Sequence, residues 1–116
     1  MNHRILVVCE DLFFWAKIHG MAAILGVPVL RVSDEEGIQK ALSEGPVLRI
    51  LVDLGSKATD VMAMPDRVKA LADPPELIGF ASHVDEGTRD RARAAGYDLV
   101  LPRSRFSSRL REYLTP

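Results

Sequence analysis

Short apolar runs alternate along the chain with longer segments in which apolar residues recur at helical spacing. The run from Ile5 to Cys9 is continuous and apolar, which is typical of a strand covered on both faces. Runs of this kind predict strands at 5–9, 27–32, 47–52, 77–81 and 99–101. The second run is less uniformly apolar and has Pro28 near its start, so we expect it at an edge of the sheet.

The segments between these runs predict helices. Over 12–25 the apolar residues follow one another at spacings of four, three and four, and Gly26 supplies a stop signal. Asp34 can cap a second helix, which Gly45 and Pro46 end. Further helices are predicted over about 65–72, where Pro65 would occupy the first turn, over 85–95, and around the apolar stripe at 106, 110, 113 and 114.

Five strands that alternate with about five helices predict an α/β protein, with a parallel sheet between two layers of helices. Right-handed crossovers leave few topologies, and the order 2-1-3-4-5 places the strand that contains Pro28 at an edge. We therefore predict a flavodoxin-like three-layer sandwich. Residues 1–116 are expected to form a single domain, since the length suits one domain and no linker or internal repeat is visible.

The composition excludes several classes of protein. Fifteen basic and 16 acidic residues nearly cancel, which argues against binding nucleic acid or an anionic membrane by bulk charge. The single cysteine, Cys9, excludes an intrachain disulfide and a cysteine-rich zinc site. No apolar run reaches the roughly 18 residues of a membrane span, and the N-terminus lacks the features of a signal peptide. We expect a cytoplasmic protein.

The charges are unevenly distributed along the chain. Residues 89–116 contain seven arginines and three acidic residues, a net charge of +4, which leaves −5 for the first 88 residues. This arginine-rich stretch can form a docking surface for an acidic protein partner. Its candidate contact residues are Arg89, Arg93, Arg105 and Arg109. The alternative is a solvated helical surface stabilised by pairs of opposite charge.

Carboxylates follow the two strands that flank the predicted switch in strand order. In an open parallel sheet the ligand crevice lies beyond the C-terminal ends of the strands, here between the first and the third. Glu10 and Asp11 follow the first strand and Asp53 follows the third, so three carboxylates can converge there. Such oxygen ligands suit Mg²⁺ and repel a bare phosphate group. The alternative is that these acids solvate loops and cap helices.

On these residues the chain resembles the CheY-like receiver domain of two-component response regulators, over essentially its whole length. The pattern of that family has an acidic pair after the first strand and a phosphoacceptor aspartate after the third, here matched by Glu10, Asp11 and Asp53. The resemblance implies that the acids hold Mg²⁺ and that Asp53 accepts a phosphoryl group. It also implies that a hydroxyl residue ending strand four and a lysine ending strand five respond to that group.

The first strand leaves the position of the acidic pair open. A strict count against the family puts Cys9 in place of the first acid and Glu10 in place of the second. If the strand is one residue longer, Glu10 and Asp11 form the pair. Cys9 itself, at the end of a buried strand and beside acids that raise a thiol pKa, is expected to be an inert apolar residue.

The two positions that would respond to phosphorylation also depart from the family. Ala81 takes the hydroxyl position, and Ser82 comes one residue late, beside His83, which we expect in a surface loop. An ungapped count puts Arg103 at the lysine position, whereas an alternative with a deletion puts Leu101 there. Arginine retains the charge but not the compact ammonium group of lysine, and leucine retains neither.

These departures favour an atypical, pseudo-receiver-like signalling module that acts by protein–protein interaction, without enzymatic activity and without a requirement for phosphorylation. Its expected partners are a histidine kinase, a downstream effector or a second copy of the chain, and Mg²⁺ is its candidate cofactor. The first alternative is a conventional response regulator with Asp53 as phosphoacceptor. The second alternative is a small-molecule-binding domain with the flavodoxin-like fold.

Phe13, Phe14 and Trp15 form an aromatic triplet at the start of the first predicted helix. Phe14 falls on the apolar stripe, and Phe13 and Trp15 lie about 100° to either side of it. We expect these two residues to pack at the rim of the core. The alternative is an exposed anchor for a partner.

Overall fold

The computed structural model describes residues 4–57 and 59–116, in which strands and helices alternate. The strands are β1 (Arg4–Val8), β2 (Val29–Val32), β3 (Val47–Asp53), β4 (Glu76–Ala81) and β5 (Leu99–Pro102). The helices are α1 (Leu12–Leu25), α2 (Glu35–Ser43), α3 (Met64–Lys69), α4 (Glu86–Ala95), α5 (Arg103–Ser108) and α6 (Leu110–Leu114). None of these described helices has the length and apolar composition needed to cross a membrane.

The strands form one parallel sheet in the predicted order β2-β1-β3-β4-β5. The strand β2 lies at an edge, directly after Pro28, as expected. In the register of the sheet, Val8 pairs with Val52 and Phe80 pairs with Asp53. The residues that follow β1, β3 and β4 therefore leave the sheet at one edge, formed by the C-terminal ends of the strands. The predicted site lies at this edge.

Apolar side chains cover both faces of the sheet. On one face they join the strands to α2, α3 and α4, with Ile38 and Met64 among the buried residues. On the other face they join the strands to α1, α5 and α6, with Ile18 and Phe106 in the core. Strands covered on both faces explain why each strand is a nearly continuous apolar run. The arrangement confirms the predicted three-layer sandwich.

Local sequence determines where several helices begin and end. The carboxylates of Asp34 and Asp85 accept hydrogen bonds from backbone N–H groups in the first turns of α2 and α4. Gly26 follows α1 with φ of 70°, and Gly96 follows α4 with φ of 114°. These positive angles favour glycine, so α1 ends at the residue that the stop signal predicts.

The last predicted helix is divided in two at Arg109. Its backbone angles, φ −117° and ψ 22°, lie outside the helical region and separate α5 from α6. Six helices are therefore described where about five were predicted. The apolar stripe nevertheless faces the core on both sides of the break, at Phe106, Leu110, Tyr113 and Leu114.

The helix α3 is shorter than predicted. Pro65 lies in its first turn, as expected, but the helix ends at Lys69 rather than near residue 72. Val68 is buried, whereas Leu71, beyond the end of the helix, is exposed. Prolines follow at 74 and 75, and a proline disfavours helical backbone in the residue before it.

Candidate functional site

Asp53 is the last residue of β3, so it lies at the end of the sheet where the strands end. Its side chain is buried. Its Oδ1 accepts a hydrogen bond of 3.0 Å from the backbone N–H of Gly55. Its Oδ2 accepts one of 3.2 Å from Nη2 of Arg103 and faces the Sγ atom of Cys9 at 4.0 Å. Both oxygens of this carboxylate are therefore engaged by protein donors.

Arg103 bridges two carboxylates, one from near the start of the chain and one from its middle. Its Nη2 contacts Asp53, and its Nη1 lies 3.5 Å from Oδ2 of Asp11. The guanidinium carbon lies 5.2 Å from the ring centroid of Phe14 and 5.9 Å from that of Phe80. A planar guanidinium suits both contacts, since it can bind carboxylates at its edge while its face lies over aromatic rings.

The structure brings Arg103, rather than Leu101, to the aspartate. The Leu101 side chain is buried in the apolar core, and its backbone belongs to β5. Arg103 is the first residue of α5, directly after that strand. The ungapped count along the fifth strand therefore agrees with the geometry. The aromatic rings below Arg103 were not assigned to the site from the sequence, because Phe80 reads there simply as a core residue of a strand.

Asp11 is both a helix cap and a partner of Arg103. Its Oδ1 accepts hydrogen bonds from the backbone N–H groups of Phe13 at 3.0 Å and Phe14 at 3.2 Å, at the start of α1. Its Oδ2 faces Arg103. The alternative interpretation of the acids, as helix caps, is thus correct for one oxygen of Asp11.

Glu10 contacts the segment that follows β3. Its Oε1 accepts hydrogen bonds from the Ser56 hydroxyl at 2.8 Å and from the Lys57 backbone N–H at 2.7 Å. The acid therefore joins the end of β1 to the β3–α3 connection. Its role in positioning that connection was not predicted from the sequence.

The predicted magnesium ligands Glu10, Asp11 and Asp53 are all present at this edge, but in this arrangement they do not fit the ion. Oxygens of each accept hydrogen bonds from protein donors, and a guanidinium lies against two of the three carboxylates. Within residues 4–57 and 59–116, no three His, Cys, Asp or Glu side chains are grouped so as to hold a metal ion. Magnesium binding therefore stays a prediction from the sequence.

Cys9 is fully buried beside Asp53, and its thiol faces the backbone carbonyl of Asp11 at 3.5 Å. Burial raises the pKa of the Cys9 thiol, and the negative charge of Asp53 acts in the same direction. A neutral, buried thiol agrees with the expected inert apolar residue. The atom next to Asp53 at the end of β1 is therefore a sulfur and not a carboxylate oxygen. This agrees with the strict count, which puts Cys9 in place of the first acid.

Ala81 and Ser82, the candidates for the hydroxyl position, lie on either side of the end of β4. Ala81 is the last residue of the strand and is buried, whereas Ser82 is exposed in the following loop. Among the residues that the structure describes, the hydrogen-bond donors to the Asp53 carboxylate do not include the Ser82 hydroxyl. Ser82 instead lines an open cavity with His83 and Arg103, and Asp53 is not among its lining residues.

Arg89 is not an exposed docking residue, contrary to the prediction. It is 7% exposed, and its Nη1 donates hydrogen bonds to the backbone carbonyls of Ser82 at 2.6 Å and His83 at 3.0 Å. The side chain lies under the β4–α4 loop. There the two carbonyls accept the hydrogen bonds that water would accept from an exposed guanidinium. Arg93, Arg105 and Arg109 are exposed.

An apolar groove on the described surface does not include Asp53 among its lining residues. It lies between α2 and α3, has a volume of about 400 Å³, and is lined mainly by side chains such as Ile38, Leu42, Met64 and Val68. The hypothesis of a small-molecule site at the carboxylates expected an apolar pocket beside Asp53. The groove is elsewhere, so it does not support that site.

The sequence matches no family model and no curated protein, whereas the fold has clear counterparts among solved structures. NtrX from Brucella abortus, in complex with ADP, is 17% identical with a TM-score of 0.81 over 97% of this chain and 26% of that one. The receiver domain of the sensor histidine kinase PA1611 from Pseudomonas aeruginosa PAO1, with a magnesium ion in its active-site cleft, is 20% identical. Its TM-score is 0.81 over 98% of this chain and 95% of that one.

A third counterpart is the beryllofluoride-activated NtrC4 receiver domain dimer, 17% identical with a TM-score of 0.77 over 97% of this chain and 96% of that one. The chain thus spans about a quarter of the NtrX chain and nearly all of the two separate receiver domains. The class that the fold defines is the CheY-like, flavodoxin-like receiver fold. At these identities the likeness establishes the fold alone.

Proposed function

We propose that the chain is an atypical receiver-like signalling module that acts by protein–protein interaction and does not require phosphorylation of Asp53. The observation that carries the proposal is the Arg103 guanidinium bound between Asp11 and Asp53. The receiver domain of PA1611, which has the same fold, holds a magnesium ion in its active-site cleft. Here a side chain of the protein supplies a positive charge beside the carboxylates.

The chemistry of the two cations supports this interpretation. Mg²⁺ requires near-octahedral oxygen ligands and gives up its water reluctantly, so it competes poorly for carboxylates that already hold a guanidinium. Arg103 is also held over Phe14 and Phe80, which favours its present position. Cys9 adds a sulfur beside Asp53 where the strict count expects an acid, and sulfur is a poor ligand for magnesium.

The nucleophile needed for phosphoryl transfer is also engaged. Hydrogen bonds and a paired cation lower the nucleophilicity of a carboxylate oxygen, although each oxygen has more than one lone pair. In Asp53, Oδ1 accepts the Gly55 N–H, while Oδ2 accepts the Arg103 N–H and faces the Cys9 thiol. These contacts favour a structural role for Asp53 over a role as phosphoacceptor.

The candidate output surface is the arginine-rich side of the molecule. Arg93, Arg105 and Arg109 are exposed on α4, α5 and the junction of α5 with α6. An acidic surface on a histidine kinase, an effector or a second copy would complement them. Arg89 is excluded from this surface, because its guanidinium is buried.

A phosphodonor experiment tests the proposal. The protein is incubated with acetyl phosphate and Mg²⁺, and its intact mass is measured beside that of a response regulator that accepts phosphoryl groups. We expect no adduct on this chain while the control protein gains one phosphoryl group. A mass increase that disappears in Asp53→Asn would contradict the proposal and support the conventional phosphoacceptor.

A double variant tests the physical reason. Cys9→Asp with Arg103→Lys restores the residues that the resemblance implies at both positions. We expect this variant to accept a phosphoryl group where the unmodified protein does not. Cys9→Ser with Arg103→Lys serves as the matched control, because it restores the lysine without the acid.

A further inference from the structure

The outer side of α1 is apolar, although it faces solvent. Phe13 is 92% exposed, and Gly20 and Ile24 are exposed as well. With Lys17 they follow one another at spacings of four, three and four, so these four residues share one side of the helix, which we name the α1 stripe. The opposite side, with Ile18, is buried in the core. A helix that is apolar on both sides is typical of a buried helix, so the α1 stripe suits a contact with another molecule.

An apolar groove lies in the opposite layer of the sandwich, between α2 and α3. It has a volume of about 400 Å³, and its walls include Leu42 and Leu71. The polar side chains at its rim are bonded within the chain, since Arg67 and Gln39 both bond to Glu35. A cavity of this size takes a small organic group, so one aromatic side chain can enter it.

The two layers of helices carry opposite charges. Around α2 and α3, residues 34–44 and 60–73 contain seven acidic and three basic residues, a net charge of −4. In the other layer, residues 12–25 and 104–116 contain four basic residues and one acidic residue, a net charge of +3. The count begins after Arg103, because two carboxylates compensate its charge. Two copies of the chain can therefore attract each other through unlike layers.

These charges are available to another molecule. Arg105, Arg109 and Arg111 are exposed, and within residues 4–57 and 59–116 none of the three forms an ion pair. Lys17 is bonded to the Ser107 hydroxyl, which joins α1 to α5. The acidic layer has six exposed acids that likewise form no ion pair within the described residues: Asp34, Glu36, Glu44, Asp60, Asp66 and Asp73.

We propose that the groove between α2 and α3 binds the α1 stripe of a second copy of the chain. Phe13 is the anchor, because it is the most exposed large apolar side chain among the described residues. A second copy covers both apolar surfaces and matches both charges, with the basic layer of one copy against the acidic layer of the next. The contact is heterologous, so each copy offers one stripe and one groove. The proposal rests on the proposed function, from which it takes the second copy as partner.

Sedimentation equilibrium in about 50 mM NaCl tests for this association. One aromatic anchor with a charged rim makes a small interface, so we expect a Kd of about 10–500 µM. Because unlike charges contribute, about 500 mM NaCl is expected to weaken the association at least about fivefold. A protein that stays monomeric up to about 1 mM, or that associates more strongly in high salt, would overturn the proposal.

The outcome is distinct from that of the phosphodonor experiment. A monomeric protein without an adduct would overturn the groove contact and leave the proposed function standing. An adduct that disappears in Asp53→Asn would contradict the proposed function, whatever mass the sedimentation gives.

Two variants with matched controls locate the contact. Phe13→Ala and Leu71→Arg are each expected to weaken the association at least about tenfold, the second because it places a cation in the groove. Val84→Ala removes a side chain that is also highly exposed, and Leu99→Arg makes the same change at a residue of similar exposure, 36% against 37% for Leu71. Both controls are expected to stay within about twofold. Association that survives Phe13→Ala, or an equal loss in the controls, would overturn the proposal.

A mixture of the two variants separates the heterologous contact from a pairing of two α1 stripes. Phe13→Ala keeps its groove and Leu71→Arg keeps its stripe, so equal amounts are expected to form a one-to-one complex and no larger species. This recovery would also show that both variants fold. In ¹H–¹⁵N NMR spectra of the mixture, a label on Phe13→Ala is expected to report shifts at Leu42 and Val68. A Leu71→Arg protein that associates alone as strongly as the unmodified protein would show that the groove is not used, and the proposal would be wrong.

Discussion

Nη2 of Arg103 donates a hydrogen bond of 3.2 Å to Oδ2 of Asp53, across 50 positions of sequence. The aspartate is buried at the end of β3, and the arginine begins α5 directly after β5. A second bond from the same guanidinium reaches Asp11, 92 positions away. One side chain therefore holds together three segments of the chain, beyond the C-terminal ends of β1, β3 and β5.

The first prediction concerns the stability that this side chain supplies. Arg103→Met removes the countercharge of a buried carboxylate, so we expect the free energy of unfolding to fall by about 1–3 kcal/mol. Arg103→Lys is expected to lose less, because a lysine retains the charge. The matched control is Arg105→Met, exposed on the same helix, for which a change within about 0.5 kcal/mol is expected. Urea denaturation measures all three, and equal losses at the two arginines would contradict the prediction.

The second prediction concerns Tyr97 and alkaline pH. Its buried hydroxyl donates a hydrogen bond of 2.6 Å to the backbone carbonyl of Val61, and burial raises the pKa of Tyr97 above its ordinary value. The folded state therefore retains the phenol proton when the unfolded state loses it. The resulting stability is constant below pH ~10 and is lost as the pH rises above the pKa of the unfolded chain.

Tyr97→Phe tests both parts of this statement. At neutral pH the variant is expected to lose about 1–2 kcal/mol, because the Val61 carbonyl is left buried without its donor. Between pH 9 and about 11, its free energy of unfolding is expected to fall less steeply than that of the unmodified protein. Tyr113→Phe, which retains Tyr97, should keep the steeper fall. An alkaline fall of equal size in the Tyr97 variant would show that another group causes it.

The third prediction separates two neighbouring aromatic residues. Phe13 is 92% exposed, so the expectation that it packs at the rim of the core is wrong. Phe14 lies 5.0 Å from the ring of Phe80 and 6.0 Å from that of Phe106, between ring centroids. We expect Phe13→Ala to change the free energy of unfolding by less than about 0.5 kcal/mol and Phe14→Ala to lower it by about 2–4 kcal/mol. Thermal and denaturant unfolding of both variants check this difference, and a similar loss in both would contradict it.

The fold could be predicted because its signals are local. The strands are apolar runs covered on both faces, and the end of α1 is marked by Gly26, whose φ of 70° suits glycine. The division of the last helix could not be predicted, because the apolar stripe continues across Arg109. Only the backbone angles of Arg109 differ from those of a helix. A pattern of side chains reports which face is buried, not whether the backbone between buried residues stays helical.

The convergence of the candidate residues could be predicted, but their contacts could not. The ends of β1 and β3 place Cys9, Asp11 and Asp53 at one edge because the register of a parallel sheet is regular. The choice of partner for each carboxylate depends on side chains distant in sequence, so the sequence left open whether Arg103 or Leu101 meets Asp53. The burial of Arg89 could not be predicted for the same reason. Arg89 and Arg93 lie on the same helix, but Arg89 is buried because it donates hydrogen bonds to carbonyls of the β4–α4 loop, whereas Arg93 is exposed.

The central claim is that Arg103 takes the place of a metal ion at the acidic edge, and a calorimetric titration with Mg²⁺ tests it most directly. The unmodified protein is expected to show no saturable binding up to about 10 mM, whereas Arg103→Met, which releases Asp11 and Asp53, binds at least about tenfold more tightly. Asp53→Asn in the Arg103→Met background is expected to remove that binding. Submillimolar binding by the unmodified protein that Arg103→Met does not strengthen would contradict the claim.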